Sequence, residues 1–256
     1  MLSTTDLFDY KWEYATKGSY LPRIASFNKK FIEKKLSIVI SAKSKDEYYE
    51  LISNLLSVLD RGISAVQPGK LYVNNTYLRC YFIASEKPNR YVNTQRSTVD
   101  LTLLVEDGHW MEEQMINFGA ATKQEYSEDG LDYDHDYPFD YANSLVNQTI
   151  VNNNYNPADF IMTIYGACTS PVISIGDNIY KMDTSLTTGE YMIINSKERK
   201  IYKVMNNGTQ VNLFDLRDRD HNIFEKIPEG ISNVSWDGAF GFDVKLLLKR
   251  SEPRWI

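Results

Sequence analysis

Apolar residues in the first half of the chain recur at two periods. Tyr48, Leu51, Ile52, Leu55, Leu56 and Leu59 follow at three- and four-residue intervals, the stripe of an amphipathic helix. Ser44 and Glu47 have capping-box spacing, so hydroxyl and carboxylate can satisfy orphan amides of the first turn. The spacing predicts a helix over 44–60 with Gly62 as its stop. Around it, residues 36–42, 70–73, 77–84 and the alternating Val99, Leu101, Leu103 and Val105 read as strands. The run Val73-Asn-Asn-Thr-Tyr77 predicts a tight hairpin, because asparagine tolerates positive φ better than other non-glycine residues. A helical stripe must pack on something, and these strands are its obvious partner. The expected first domain is one helix on a largely antiparallel sheet.

Beyond Asn143 the pattern is nearly all β. Short runs at 160–165, 172–175, 191–194, 200–205, 210–214 and 242–248 are separated by turn residues every ten or so positions. Asn206-Asn207-Gly208 is a strong hairpin turn. Such spacing predicts paired sheets closing a sandwich.

Charge marks where the halves meet. Residues 1–115 carry 15 basic and 14 acidic side chains, residues 116–256 carry 13 and 20, and much of the excess is local. Glu125, Glu128, Asp129, Asp132, Asp134, Asp136 and Asp140 stand against Lys123 in a stretch without sustained periodicity, which reads as a linker or long ordered loop. Asp132, Asp134 and Asp136 have the alternation of a calcium loop, but an EF-hand also needs Gly and Glu where Tyr137 and Asn143 stand. A solvated acidic connector is the better reading, and the domains are expected at 1–130 and 131–256.

Composition narrows the function. The 256 residues are 43% apolar and 24% charged, enough to bury a core without disulfides or metals. A net charge of −6 argues against a general nucleic-acid binder. No run is long and apolar enough to insert in a membrane, and the first residues lack a signal-peptide pattern. Cys80 and Cys168 lie in different halves and read as reduced, buried small hydrophobes. The fragment Pro68-Gly69-Lys70-Leu71 lacks the first glycine and the hydroxyl of a phosphate loop, and other nucleotide, zinc and nucleophile motifs are absent. His109, His135 and His221 have no ligand partner at metal spacing. No catalytic, cofactor-binding or metal residue is therefore assigned. The 18 tyrosines and four tryptophans invite a carbohydrate-binding reading, with Trp236 and Trp255 the positions to watch, although strand packing accounts for most aromatics.

An ordered set of motifs in the second half resembles the distal tail proteins of long-tailed, non-contractile bacteriophages. Asp136-Tyr-Pro-Phe-Asp-Tyr141 is similar to the family's approach to its second domain, and Asn156-Pro-Ala-Asp-Phe160 with Ile164-Tyr165-Gly166 to the strand that follows. Pro171-Val-Ile-Ser-Ile175, Gly189-Glu190-Tyr-Met-Ile-Ile-Asn-Ser196 and Asn207-Gly208 continue in family order. Phe224-Glu-Lys-Ile-Pro-Glu-Gly230, residues 231–236 and Lys249-Arg250-Ser-Glu-Pro-Arg-Trp255 close the set. In the first half the likeness rests on the helix after 36–42, on 79–82 and on 96–105.

The resemblance implies a mainly β protein: an N-terminal belt-type antiparallel β-barrel or sandwich with one α-helix, then a C-terminal galectin-like β-sandwich. It implies a homo-hexameric ring joining the tail tube to the tail tip or baseplate, at the virion tail tip after assembly in the bacterial host cytoplasm. The tail tube protein, the tape-measure protein and a tail-associated tip protein are the implied partners. It carries over no catalytic residue and no interface residue. A galectin-like fold does not itself guarantee sugar binding. A glycan-binding adhesin is the alternative reading and a cell-wall hydrolase, built on paired carboxylates, the third.

Overall fold

The computed structural model describes residues 3–4, 6–87, 96–120 and 146–254. The acidic stretch with Asp132, Asp134, Asp136, Tyr137 and Asn143, together with His135 and Trp255, lies outside the described residues. The chain divides into two compact units, Met1–Glu112 with Lys249–Ile256, and Glu113–Leu248.

The first unit begins with β1 (Ser3–Thr4), β2 (Glu13–Lys17), β3 (Arg23–Asn28) and β4 (Ile32–Ser41), followed by helix α1 (Lys45–Ser64). Then come β5 (Gly69–Val73), β6 (Thr76–Glu86) and β7 (Arg96–Phe118), within which the division between the units falls. Antiparallel pairing runs β1 to β4 to β7 to β6 to β5, while among the described residues β2 and β3 pair only with each other. Along β7 the predicted alternation is strict: Val99, Leu101, Leu103 and Val105 are buried and their neighbours half-exposed. They pack with Leu36, Leu78, Cys80 and Trp110 into one core. The strand is far longer than 99–105. Its register against β6 slips between Leu78, opposite Trp110, and Cys80, opposite Val105, so the polar residues 106–109 loop out as a bulge. Gly108 sits there at φ +60°, where an added Cβ would lie 3.2 Å from Lys29 Cβ.

Helix α1 starts as expected, with Ser44 Oγ accepting the Glu47 amide at 3.2 Å and the Glu47 carboxylate accepting the Lys43 amide at 2.7 Å. It runs past Gly62, however. Ala65 is the cap and the Gln67 amide returns to the Gly62 carbonyl at 3.0 Å, so Gly62 lies inside the last turn. The stripe is only partly covered. Tyr48 is buried and donates to Ser97 Oγ at 2.6 Å, Ile52, Leu55, Leu56 and Leu59 are half-buried, and Leu51 is exposed. The Asn hairpin forms as predicted, with Asn74 at φ +51° between β5 and β6. Lys34 is buried on the core side of β4, its ammonium donating to the carbonyls of Asp6 and Asp9; this pins the N-terminal turn that carries buried Leu7.

The second unit contains β8 (Val146–Asn152), β9 (Asp159–Tyr165), β10 (Cys168–Thr169), β11 (Val172–Ile175), β12 (Asn178–Lys181) and β13 (Ser185–Leu186). It continues with β14 (Tyr191–Asn195), β15 (Lys200–Val204), β16 (Gln210–Asn212), β17 (Gly230–Trp236) and β18 (Phe242–Arg250), whose last two residues belong to the first unit. One sheet runs β18-β9-β14-β15-β16 and the other β12-β11-β17-β8, both antiparallel at every pairing. Their inner faces share one core of Phe160, Met162, Ile164, Ile173, Ile175, Met192, Ile194, Val234, Trp236, Phe242 and Val244. This is the predicted sandwich, in which fully burying each such side chain contributes about 1.5 to 3 kcal/mol. The predicted run 210–214 ends as a strand at Asn212, whose side-chain oxygen accepts the Phe214 amide at 2.9 Å and turns the chain into a short 3-10 helix.

Candidate functional site

The residues picked out for chemistry are placed by the fold in structural roles. Trp236 is 1% exposed, donates its indole N–H to the Phe240 carbonyl at 3.0 Å and meets Phe118 and Phe242 edge-on. Cys80 is buried and its thiol is pushed up to about 12 by burial; Cys168 is half-buried and raised by the same cause, and both are free. His109 lies in the β7 bulge, edge-on to Trp12, and is held below its ordinary value first by burial and then by the Lys29 charge. His221 pairs with Asp218 at 2.6 Å, and that bond is the main reason the Asp218 carboxyl is depressed. Gly69 and Lys70 open β5 in a strand, not a phosphate loop. Among the described residues no group of His, Cys, Asp or Glu is arranged to hold a metal, and no helix is long and apolar enough to cross a membrane.

What stands out is a surface that sequence reasoning missed. The β2–β3 hairpin is exposed along its whole length on both faces. Tyr14 stands opposite Phe27 and Thr16 opposite Ile24, while Tyr20, 95% exposed, and Leu21 occupy the connecting turn. Tyr10, Trp12 and Phe31 at its base are also exposed. Lys29 anchors this base: its ammonium lies 4.7 Å from the Trp12 ring and 4.9 Å from the Tyr10 ring, and donates to the Gly108 carbonyl and to Ser251 Oγ. Burial, then the Lys34 charge, lowers its pKa to about 8. Residues 10–31 carry five basic side chains against Glu13 alone, whereas α1 carries Asp46, Glu47, Glu50 and Asp60 against Lys45 and Arg61. The first unit therefore presents two apolar surfaces of opposite charge, the arm and the uncovered side of α1. An isolated two-stranded hairpin is marginal in water, and a concentration of exposed aromatics marks an interaction surface.

No protein-family model matches the chain, and no curated protein matches it. Solved structures do. The Dit protein of phage SPP1, described as a paradigm of the hub adsorption apparatus in phages infecting Gram-positive bacteria, is 8% identical with a TM-score of 0.57, over 98% of this chain and 92% of that one. A chain of the phage P2 baseplate in its activated conformation with Ca is 14% identical with a TM-score of 0.60, over 98% and 90%. The corresponding Sr structure gives 14% and 0.57, over 95% and 88%. The chain thus has the mainly β fold of phage distal tail and baseplate hub proteins, the fold that the sequence motifs imply.

Proposed function

We propose that the protein is a structural component of a phage tail tip, a homo-hexameric ring that joins the tail tube to the tip or baseplate. The observation that carries this reading is the likeness in fold to hub proteins along nearly the whole chain. The arm supplies the physical reason for assembly. A closed ring uses heterologous contacts, in which one face of a subunit meets a different face of its neighbour, and the arm and α1 are two such faces in one unit.

In this reading the belt domain, 1–130, makes the ring and the galectin-like domain, 131–256, hangs from it. The tail tube, tape-measure and tail-associated tip proteins are its neighbours, and the assembly stands at the virion tail tip. The protein acts by shape and contact, without catalysis. Electron microscopy of the purified protein tests the proposal: six-fold rings with a central opening are expected, and a field of single particles of one chain's size would refute it.

A further inference from the structure

We infer that the outer face of the β18-β9-β14-β15-β16 sheet is a binding site for a neutral oligosaccharide, centred on a cleft beside Tyr202. This goes beyond assembly and does not depend on the ring.

The cleft measures about 520 Å³ and opens where β15, β16 and the β14–β15 turn meet. Its wall combines the Tyr202 ring, the carboxamides of Gln210 and Asn212, and Arg199, Lys200 and Glu198. The chemistry is that of polyol recognition. A flat ring covers the C–H face of a pyranose, while planar carboxamides offer a donor and an acceptor, and the guanidinium paired donors, to neighbouring hydroxyls. Several of these groups are held in place. The Asn212 carboxamide oxygen accepts the Phe214 amide, which turns its NH₂ group away from that bond. Phe214 itself packs with the Arg217 guanidinium, 3.9 Å from its centroid, and with the Phe224 ring at 6.0 Å. Among the described residues the side chains of Tyr202, Gln210 and Arg199 have no hydrogen-bond partner, so their polar groups are open to a ligand.

Charge selects a neutral ligand. Lys200 pairs with Glu198 at 2.9 Å, which leaves Arg199 as the one unbalanced charge in the lining and gives no cluster for a polyanion.

The register extends the site beyond the cleft. Asn212, Tyr202, Ile193, Thr163 and Asp243 face one another in a single row across five strands, about 19 Å long at the usual strand spacing. Tyr191 and Tyr165, directly paired in the neighbouring row, add two further rings. The Tyr165 hydroxyl is fixed by Asp243 at 2.6 Å, and Asp243 also accepts from Asn117, also at 2.6 Å. The row has the length of an oligosaccharide, not of one ring. Because the cleft is open to solvent, the affinity of one site is expected on the order of 1 mM.

Saturation-transfer NMR with the full-length protein and maltotetraose, chitotetraose, cellotetraose and lactose tests the inference. Transfer to at least one of these sugars is expected. Tyr202→Ala should weaken it at least ten-fold, Gln210→Ala, at an exposed strand end, about three-fold, and Tyr155→Ala, at an exposed tyrosine of the same unit, not at all. If Tyr202→Ala fails to fold, Gln210→Ala decides. No transfer to any of the four sugars would overturn the inference, as would transfer indifferent to Tyr202 and Gln210. Binding of polyglycerol phosphate alone, lost in Arg199→Ala and kept in Tyr202→Ala, would overturn it as well.

Discussion

The two units differ in where their aromatic residues gather. In the second, Phe118, Phe160, Tyr180, Trp236 and Phe242 are all buried and touch one another in edge-on or stacked pairs. In the first, Tyr10, Trp12, Tyr14, Tyr20, Phe27 and Phe31 stand exposed on and around one hairpin. In the second unit the two sheets close over each other's apolar faces in one core. In the first, the described residues leave apolar surface uncovered on the arm and along α1. Aromatics gathered in the open on one hairpin mark it as the contact surface of the proposed ring.

Substitutions test this contrast. Trp236→Ala should be the most damaging, costing about 3 to 5 kcal/mol because it empties the centre of a closed core and orphans the Phe240 carbonyl. Calorimetry reads it, and a cost under about 1 kcal/mol would mean that the sandwich core is not what holds the second unit. Leu78→Ala, in the core of the first unit, is expected to cost about 2 to 5 kcal/mol. Leu55→Ala sharpens the comparison. Leu55 is half-buried within its chain, so the loss should be only about 1 kcal/mol in the dissociated protein and should grow under conditions where the protein assembles. Equal unfolding midpoints at high and low protein concentration would show that α1 is not covered by a second copy.

The cysteines give a smaller effect. Cys80 should resist a thiol reagent in the native protein and react on unfolding, while Cys168 reacts first, so a denatured, unreduced sample should count two free thiols. Burial raises Cys80 from 9.0 to about 12. Between those values the unfolded chain has lost the thiol proton and the native protein has kept it. The unfolded state then binds fewer protons, and stability falls as pH rises from 9 towards 12. Tyr180, raised from 10.0 to about 12 chiefly by burial, adds to the same alkaline loss. Urea midpoints at pH 8 and pH 10.5 read the effect, and Cys80→Ser should reduce the slope.

How far the sequence shows these features follows from burial. Hydrophobic periodicity exists only where one face of an element is buried and the other wet. That is why Val99 to Val105, the α1 stripe and the short strands of the sandwich were legible, together with the turns at Asn74 and at Asn207-Gly208. The arm is exposed on both faces, so Glu13–Lys17 and Arg23–Asn28 carry no alternation, and their aromatics were indistinguishable from core residues. The β7 bulge interrupts the apolar pattern with Glu106, Asp107, Gly108 and His109, which hid the continuation of that strand to Phe118. The row from Asn212 to Asp243 was invisible for another reason: it is assembled from five strands distant in sequence, and only their register brings those residues side by side. What pointed to the fold in sequence alone was the ordered set of tail-protein motifs in the second half, although no single segment did.

The central claim, that the first unit is built to assemble through its arm, is tested most directly by the solution mass of the full chain beside a Tyr14→Glu, Phe27→Lys double variant. Both residues are exposed and face each other across the hairpin, so the introduced charges pair across the strands and the variant should fold normally. Six copies of a 29.6 kDa chain, about 178 kDa, are expected for the unaltered protein and a single chain for the variant. A monomeric unaltered protein, or a variant that assembles as fully as its parent, would contradict the claim.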